Sequence, residues 1–206
     1  NMATLPFYWD ATEPEEGKTR YSIGSPRLYR RPPIDLCMEF CKAHNIEPRE
    51  HGLAYEQWFP EWLYGKDTST VKAALEKHFA EIAERYGDQI HTIEVTNEME
   101  WDMGKTAFYD ESNYVEWCFK LAEKYFPQNQ LCINEHTGLS WKDKCRATDK
   151  YYAYIEANML KGARIDAIGM QYHLFNKAEH EYEKTRLTLN PENLYKHMDM
   201  YATFGK

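Results

Sequence analysis

The chain has 206 residues, 43% hydrophobic and 28% charged, a composition that excludes a disordered segment and predicts one globular domain over residues 1–206. Its formal net charge of −8 argues against nucleic acid and anionic membranes as partners, whereas a neutral polysaccharide would not be repelled. The five cysteines lack the paired spacing of a metal site and predict free, mostly buried thiols and no metal site. No apolar run is long enough to predict a membrane-spanning segment.

Strand-like and helix-like segments alternate along the chain. The first expected strand, 3–9, is followed by a long loop over 10–33 that carries proline, glycine and charged residues. Two helices have clear boundary signals, because Asp67 is an N-cap candidate and Asn190 is followed by a proline at the first helical position. The other expected strands are 46–55, 90–97, 131–135 and 165–173, and the other expected helices are 34–43, 112–126 and 149–161.

Hydrophobic spacing assigns the buried faces of two helices. In the helix that follows Asp67 and ends at Gly87, one stripe is apolar and is expected to face the core: Val71, Ala74, Leu75, Phe79, Ile82 and Tyr86. In the helix 34–43, the residues expected to share the buried face are Leu36, Cys37, Phe40 and Cys41.

Strand and helix alternate five times, which is the pattern of a parallel α/β fold. An open doubly wound sheet and a closed (β/α)8 TIM barrel both satisfy this pattern. No glycine-rich phosphate loop follows any expected strand, which favours the barrel over a nucleotide-binding open sheet. Because five strand–helix units cannot close a barrel of eight, we expect an incomplete (β/α)8 barrel.

Polar residues follow the expected strands at the end where a parallel barrel places its active site. Asn97 and Glu98 end an apolar strand, and a carboxyl group next to an amide suits acid chemistry on a sugar. The other strand-end groups are His51, Tyr55, Glu56, Asn134, Glu135, His136, Gln171, Tyr172 and His173. Taken singly, such a histidine is more often structural, and Glu56 and Glu135 fit solvated loop carboxylates. Their recurrence at the same end of successive strands predicts one sugar-binding cleft.

Five segments, in order along nearly the whole chain, resemble motifs of the glycoside hydrolase family 10 xylanases. They are Trp-Asp-Ala-Thr-Glu-Pro at 9–14, Arg-Glu-His-Gly-Leu at 49–53 followed by Pro60 and Trp62, Val-Thr-Asn-Glu at 95–98, Asn-Glu at 134–135, and Ile-Asp-Ala-Ile-Gly-Met-Gln-Tyr-His-Leu at 165–174. The last segment is close to the family's Ile-Asp-Gly-Ile-Gly-x-Gln-x-His-Leu and is the most specific of the five.

The resemblance implies an endo-1,4-β-xylanase that hydrolyses xylan or xylo-oligosaccharide with retention of configuration and without a cofactor. Glu98 would be the general acid/base, and Asn97 would bind the 2-hydroxyl of the sugar that is cleaved. His51 and Gln171 would hold that sugar, and His173 would orient the nucleophile. A retaining enzyme needs two carboxyl groups roughly 5–5.5 Å apart, one to protonate the leaving oxygen and one to attack.

The family's order of motifs implies that the first strand and the last two strands of the barrel are missing from this chain. The family's nucleophile lies in a Thr-Glu-Leu-Asp-like strand after the last helix. We therefore expect the nucleophile to be absent from this chain, and these residues to be inactive alone. A complementary segment, in the same or another chain, would cover the open strand edges.

Several positions depart from the family pattern, so the resemblance does not determine the sugar subsite on the non-reducing side. Thr4, Leu5 and Tyr8 stand where Glu, Asn and Lys are usual. The other departures are Tyr55 for Trp, Glu56 for His and His136 for Tyr.

Trp58 and Trp62 lie on the loop that would border the cleft. For Trp58, stacking on a sugar and packing within the loop are equally compatible with the sequence, whereas the family pattern favours packing for Trp62.

Two other functions fit the same sequence. A non-catalytic carbohydrate-binding protein can use the same fold, because fold alone does not determine function. A retaining glycosidase for another β-glycan is the second alternative, since the altered subsite residues permit it. By family resemblance we expect the protein to be secreted, or to lie at the cell surface or in the periplasm.

Overall fold

The computed structural model describes residues 1–101, 103–136, 145–173 and 177–206. One sheet contains five parallel strands in sequential order: β1 (Met2–Pro6), β2 (Glu47–His51), β3 (Thr92–Asn97), β4 (Gln130–His136) and β5 (Ala167–Gln171). A doubly wound sheet reverses its strand order, whereas a barrel adds each strand beside the previous one. The sheet curls into a half-barrel, which confirms the expected incomplete (β/α)8 barrel.

Helices follow the strands, and side chains cap the first turn of three of them. The helices are α1 (Trp9–Thr12), α2 (Ile34–Ala43), α3 (Thr68–Tyr86), α4 (Tyr114–Tyr125), α5 (Lys150–Leu160), α6 (Glu181–Thr188) and α7 (Pro191–Ala202). Asp67, Asp149 and Asn190 each accept a hydrogen bond from a backbone N–H at 2.9–3.0 Å. A cap of this kind contributes about 1 kcal/mol. The expected N-caps of α3 and α7 are therefore confirmed.

The expected elements differ from the structure at several boundaries. β1 ends at Pro6 instead of residue 9, because Trp9 already begins α1. Single 3-10 turns at Glu56–Trp58 and Glu61–Leu63 occupy the loop after β2, and a third covers Ala178–His180. The sequence pattern does not predict α6, since its residues are mostly polar and only Thr188 is buried.

The expected buried face of α2 is wrong in part. Leu36 and Phe40 are 45% and 56% exposed, whereas Ile34 and Cys41 are buried. Apolar residues occur on both sides of this helix, so the 3.6-residue period alone allows two orientations. Packing against the sheet selects the face that carries Ile34 and Cys41.

Aromatic and aliphatic side chains fill the space between the sheet and the helices. Some of the largest fully buried side chains are Phe7, Phe59, Phe79, Phe108, Phe119, Phe126 and Tyr151. The predicted stripe of α3 contributes Val71, Leu75, Phe79, Ile82 and Tyr86 to this core. All five cysteines are free; Cys41, Cys118 and Cys132 are buried, Cys37 is partly buried and Cys145 is exposed. In the described part of the chain, no helix has the length and apolar character needed to cross a membrane.

Candidate functional site

A cleft of about 370 Å³ lies at the carboxyl ends of the strands. It contains all five of the predicted site residues: His51, Asn97, Glu98, Gln171 and His173. The other residues that line it are Thr4, Tyr8, Arg49, Tyr55, Glu94, Asn134 and Met170. The structure thus brings together predicted site residues that are up to 122 positions apart in the sequence, His51 and His173. Leu174, the last residue of the 165–174 motif, lies outside the described residues.

Glu98 follows the last residue of β3 and has a backbone φ of +52°. Its N–H donates to the backbone oxygen of Asn134 at 3.2 Å, which fixes the chain at the strand end. The left-handed region costs a residue with a side chain about 1–2 kcal/mol. Strain of this kind persists where the surrounding structure imposes it, often at functional sites. The carboxyl oxygen Oε2 of Glu98 accepts a hydrogen bond from the Tyr55 hydroxyl at 2.6 Å.

Two amides from neighbouring strands fix the side chain of Asn97. Asn134 Nδ2 and Gln171 Nε2 each donate to Asn97 Oδ1 at 2.9 Å. Because Oδ1 accepts both bonds, the Nδ2 group of Asn97 is the part that can donate to a ligand hydroxyl. A Cβ on Gly169 would lie 2.4 Å from Asn134 Oδ1, so a glycine is required there for Asn134 to reach Asn97.

Glu94 is a cleft residue that the sequence analysis does not identify. It lies inside β3, its side chain is 1% exposed, and its carboxylate binds Arg49 Nη2 and His51 Nδ1 at 2.5 Å each. The bond to Nδ1 leaves Nε2 as the second ring nitrogen of His51. A charged residue between Ile93 and Val95 in an apolar strand is the sequence signal that points to this ion-pair cluster.

Glu50 is a second buried carboxyl group, on the opposite face of β2 from Arg49 and His51. It is fully buried, and its Oε2 accepts a hydrogen bond from the backbone N–H of Glu94 at 2.8 Å. Burial, together with the nearby charge of Glu94, holds the pKa of Glu50 well above its ordinary value. Glu50 therefore joins β2 to β3, the strand that presents Glu98, through this hydrogen bond.

The interpretation of Glu56 and Glu135 as solvated loop carboxylates is wrong. Glu56 is 7% exposed and accepts bonds from the backbone N–H groups of Met103 and Lys105, both at 3.0 Å. Glu135 is 1% exposed and accepts from the N–H groups of His136 and Glu100 at 2.7 and 3.0 Å.

Both carboxyl groups anchor the segment that follows Glu98 to the rest of the barrel. Burial raises the pKa of Glu135 to about 7, and the charges of Glu100 and Glu98 add to this, against the two backbone hydrogen bonds.

An aromatic cluster forms one rim of the cleft. Tyr8 and Trp58 stack with ring centroids 4.7 Å apart, and the Arg31 guanidinium lies 4.6 Å from the Tyr8 ring and 4.9 Å from the Trp58 ring. Tyr8 lines the cleft, and Trp58 stacks on Tyr8 while lining a neighbouring pocket. Trp62 packs edge-on against Trp9 and donates to a backbone oxygen at 3.0 Å, as expected.

The residues of the cleft are oxygen and nitrogen donors and acceptors suited to hydroxyl groups. Over the ranges 1–101, 103–136, 145–173 and 177–206, no three His, Cys, Asp or Glu side chains group together as metal ligands. The site thus offers a carboxyl group at a strand end, amides, two imidazoles and aromatic rings around one open space.

Comparisons with known proteins identify the family of the chain. The glycosyl hydrolase family 10 model matches residues 7–205. Endo-1,4-beta-xylanase B of Humicola insolens is 25% identical over 201 residues, which cover 96% of this chain and 51% of that protein. Endo-1,4-beta-xylanase B of Cellvibrio japonicus is 25% identical over 170 residues, which cover 81% of this chain and 27% of that protein.

Solved structures show the same fold. Native xylanase 10B from Thermotoga maritima has a TM-score of 0.65 and 20% identity, covering 91% of this chain and 59% of that one. A mutant in complex with xylotriose has a TM-score of 0.73 and 21% identity, covering 98% of this chain and 60% of that one. The chain spans about half or less of the length of the two curated relatives named above. On the match to the family model, the chain belongs to glycosyl hydrolase family 10.

Proposed function

We propose that the protein containing this chain is an endo-acting, retaining hydrolase of β-1,4-xylan, with Glu98 as the general acid/base. The observation that carries the proposal is the convergence of Glu98 with Asn97, His51, Gln171 and His173 in one cleft. Family membership and relatives named as endo-1,4-beta-xylanases support xylan as the polymer. A relative in complex with xylotriose supports xylo-oligosaccharides as ligands.

In this proposal Glu98 first donates a proton to the glycosidic oxygen and later takes one from the attacking water. Asn97 donates through Nδ2 to the 2-hydroxyl of the sugar that is cleaved, a contact that strengthens in the transition state. His51 and Gln171 hold the same sugar, and His173 orients the nucleophile. The hydrogen bonds that hold His51 and Asn97 in place support these roles, because a positioned donor needs no reorganisation during the reaction.

The proposed nucleophile is a second carboxylate, supplied by a segment outside these 206 residues. Glu94 is unsuited to this role because both of its oxygens are bound, to Arg49 and His51. Glu56 and Glu135 are unsuited because each carboxyl group accepts two backbone hydrogen bonds. We therefore propose that the 206 residues alone are inactive. On family membership, we also propose that the complete protein acts outside the cytoplasm, secreted or at the cell surface or in the periplasm.

The open edges of the sheet support a complementary segment that completes the barrel. Among the described residues, β1 and β5 are the edge strands of the sheet, each pairing on one side. Leu36 and Phe40 on α2 and Leu160 on α5 are large apolar side chains that are 45–83% exposed. Size-exclusion chromatography and xylan assays on residues 1–206 alone test this: a well-folded, active monomer would overturn it.

The test of the acid/base role uses Glu98→Gln in the complete gene product. We expect activity on xylan to fall by at least about a hundredfold, the usual contribution of a positioned acid. A nitrophenyl xyloside should lose less in its first step, since its leaving group needs little protonation, and azide should restore its turnover. Glu123→Gln, an exposed carboxyl on α4 outside the cleft, is the control and should keep wild-type activity.

The outcomes separate this proposal from its rivals. Wild-type rates on xylan in Glu98→Gln would exclude Glu98 as the acid/base. Binding of xylo-oligosaccharides without turnover by the complete protein would favour a carbohydrate-binding function. Preference for mannan or mixed-linkage glucan in a panel with xylan would favour another β-glycan, in line with the departures at Thr4, Leu5 and Tyr8.

A further inference from the structure

Tyr55 lies between Glu98 and Gln57 with its hydroxyl group within hydrogen-bond distance of both. The Tyr55 oxygen is 2.6 Å from Glu98 Oε2 and 2.6 Å from Gln57 Oε1. The phenol is 8% exposed, and its ring also contacts Tyr8 and His51. Tryptophan is usual at this position in the family, so the contact does not follow from the family pattern.

A phenol carries one hydrogen, which it can donate to only one acceptor at a time. Glu98 Oε2 and Gln57 Oε1 therefore compete for the Tyr55 hydrogen. Donation to Glu98 stabilises its ionised form, because a hydrogen bond to a charged acceptor is about twice as strong as one between neutral groups. Donation to Gln57 withdraws that support.

We propose that Tyr55 is a positioning residue for Glu98, and that Gln57 moderates its effect by competing for the same hydrogen. Because Tyr55 holds Oε2, Oε1 is the oxygen of Glu98 that exchanges a proton with the glycosidic oxygen and then with water. This inference rests on the proposed function of Glu98. It adds two residues that set the orientation and the hydrogen bonding of the acid/base.

Other charged and titratable groups face this site from every neighbouring element. They are Tyr8, Arg49, His51, Glu56, Glu94, Glu100, Lys105, Asp110, Glu135 and His173. None of them changes in the variants proposed below. A difference between wild type and variant therefore reports the bond from Tyr55.

The test compares Tyr55→Phe and Gln57→Met in the complete gene product, with pH profiles of kcat/KM. Tyr55→Phe removes a hydrogen bond that favours the charged carboxylate, so the fall of kcat/KM at high pH should move up by about one pH unit. Gln57→Met removes the competing acceptor, so the fall of kcat/KM at high pH should move to lower pH. Shifts in opposite directions support the proposal, whereas shifts in the same direction, or none, overturn it.

A second readout reports positioning. In Tyr55→Phe, kcat/KM should fall about tenfold or more on phenyl β-xylobioside and much less on nitrophenyl β-xylobioside, because only the poorer leaving group needs a well-placed acid. Equal losses on both substrates would indicate a structural role for Tyr55 and would overturn the proposal.

Tyr86→Phe is the matched control, since its hydroxyl also donates to a carboxylate, on Asp35 at 2.6 Å, in a different part of the chain. It should leave the pH profile and the leaving-group dependence unchanged, and thermal melts of all variants check that they fold. Wild-type xylan activity in Glu98→Gln would refute the proposed function itself. Loss of xylan activity in Glu98→Gln, together with unshifted pH profiles in the Tyr55 and Gln57 variants, would refute only this inference.

Discussion

Glu135 provides the most direct test of the electrostatics at the strand ends. Its side chain is buried, and burial raises its pKa from 4.5 to about 7. The folded protein therefore favours the neutral acid more than the unfolded chain does. The stabilising contribution of Glu135 is fully present below pH 4.5 and is lost as the pH rises through 7.

The size of the effect follows from the shift. One pKa unit corresponds to about 1.4 kcal/mol, so a rise from 4.5 to about 7 makes up to about 3 kcal/mol of the free energy of unfolding depend on pH. This is a large part of the stability of an ordinary domain, about 5–15 kcal/mol.

The perturbation is Glu135→Gln in the complete gene product, with urea unfolding measured at several pH values from about 4 to 8. An amide cannot ionise, so the variant should lose this part of the pH dependence. One of the two bonds from His136 and Glu100 lacks an acceptor in the amide, which costs about 1–3 kcal/mol at every pH. Glu56→Gln measures that constant cost at a single pH, because Glu56 also accepts two backbone bonds.

The quantity to compare is the difference in the free energy of unfolding between wild type and Glu135→Gln. Between pH 4.5 and about 8, the free energy of unfolding of the wild type should fall by up to about 3 kcal/mol relative to that of the variant. A difference that stays constant over this range would show that burial does not raise the pKa of Glu135, and the reasoning would fail.

Three further predictions address other parts of the chain. Burial lowers the pKa of His78 to about 3, so its stabilising contribution is full above 6.5 and is lost as the pH falls toward 3. His78→Phe, which keeps a ring against Trp9, should therefore unfold less readily in acid, and unchanged acid sensitivity in thermal melts would contradict this. Asn97→Ala should lower kcat on xylan more than it raises KM, because the 2-hydroxyl contact strengthens in the transition state; steady-state kinetics that show only a higher KM would disprove it. Xylo-oligosaccharide should quench tryptophan fluorescence through the Tyr8–Trp58 rim, and an equal quench in Trp58→Ala would remove Trp58 from the site.

The sequence predicts the fold class because its signals are local. Alternation of apolar strands with amphipathic helices indicates a parallel α/β fold, and capping residues such as Asp67 and Asn190 locate helix starts to within a residue. Parallel strands present their carboxyl ends at the same edge, so the strand-end residues His51, Asn97 and Gln171 are expected to meet. Their placement in one cleft agrees with that expectation.

Other features depend on contacts between distant segments, which no local pattern specifies. Glu56 and Glu135 anchor the segment after Glu98 through backbone groups 35–49 positions away in the sequence. Packing against the sheet likewise selects the buried face of α2, since both sides of the helix carry apolar residues that could face the core.

The sequence by itself determined the order of the strands and of the helices other than α1 and α6, the family and the residues at the strand ends. Periodicity, caps and motifs depend on residues close together in the sequence. Only the tertiary structure decided that Tyr55 binds Glu98 and that Glu94 joins Arg49 to His51. Hydrogen bonds between side chains some 43–45 positions apart require angstrom-level placement of two loops or strands, which packing of the whole sheet provides.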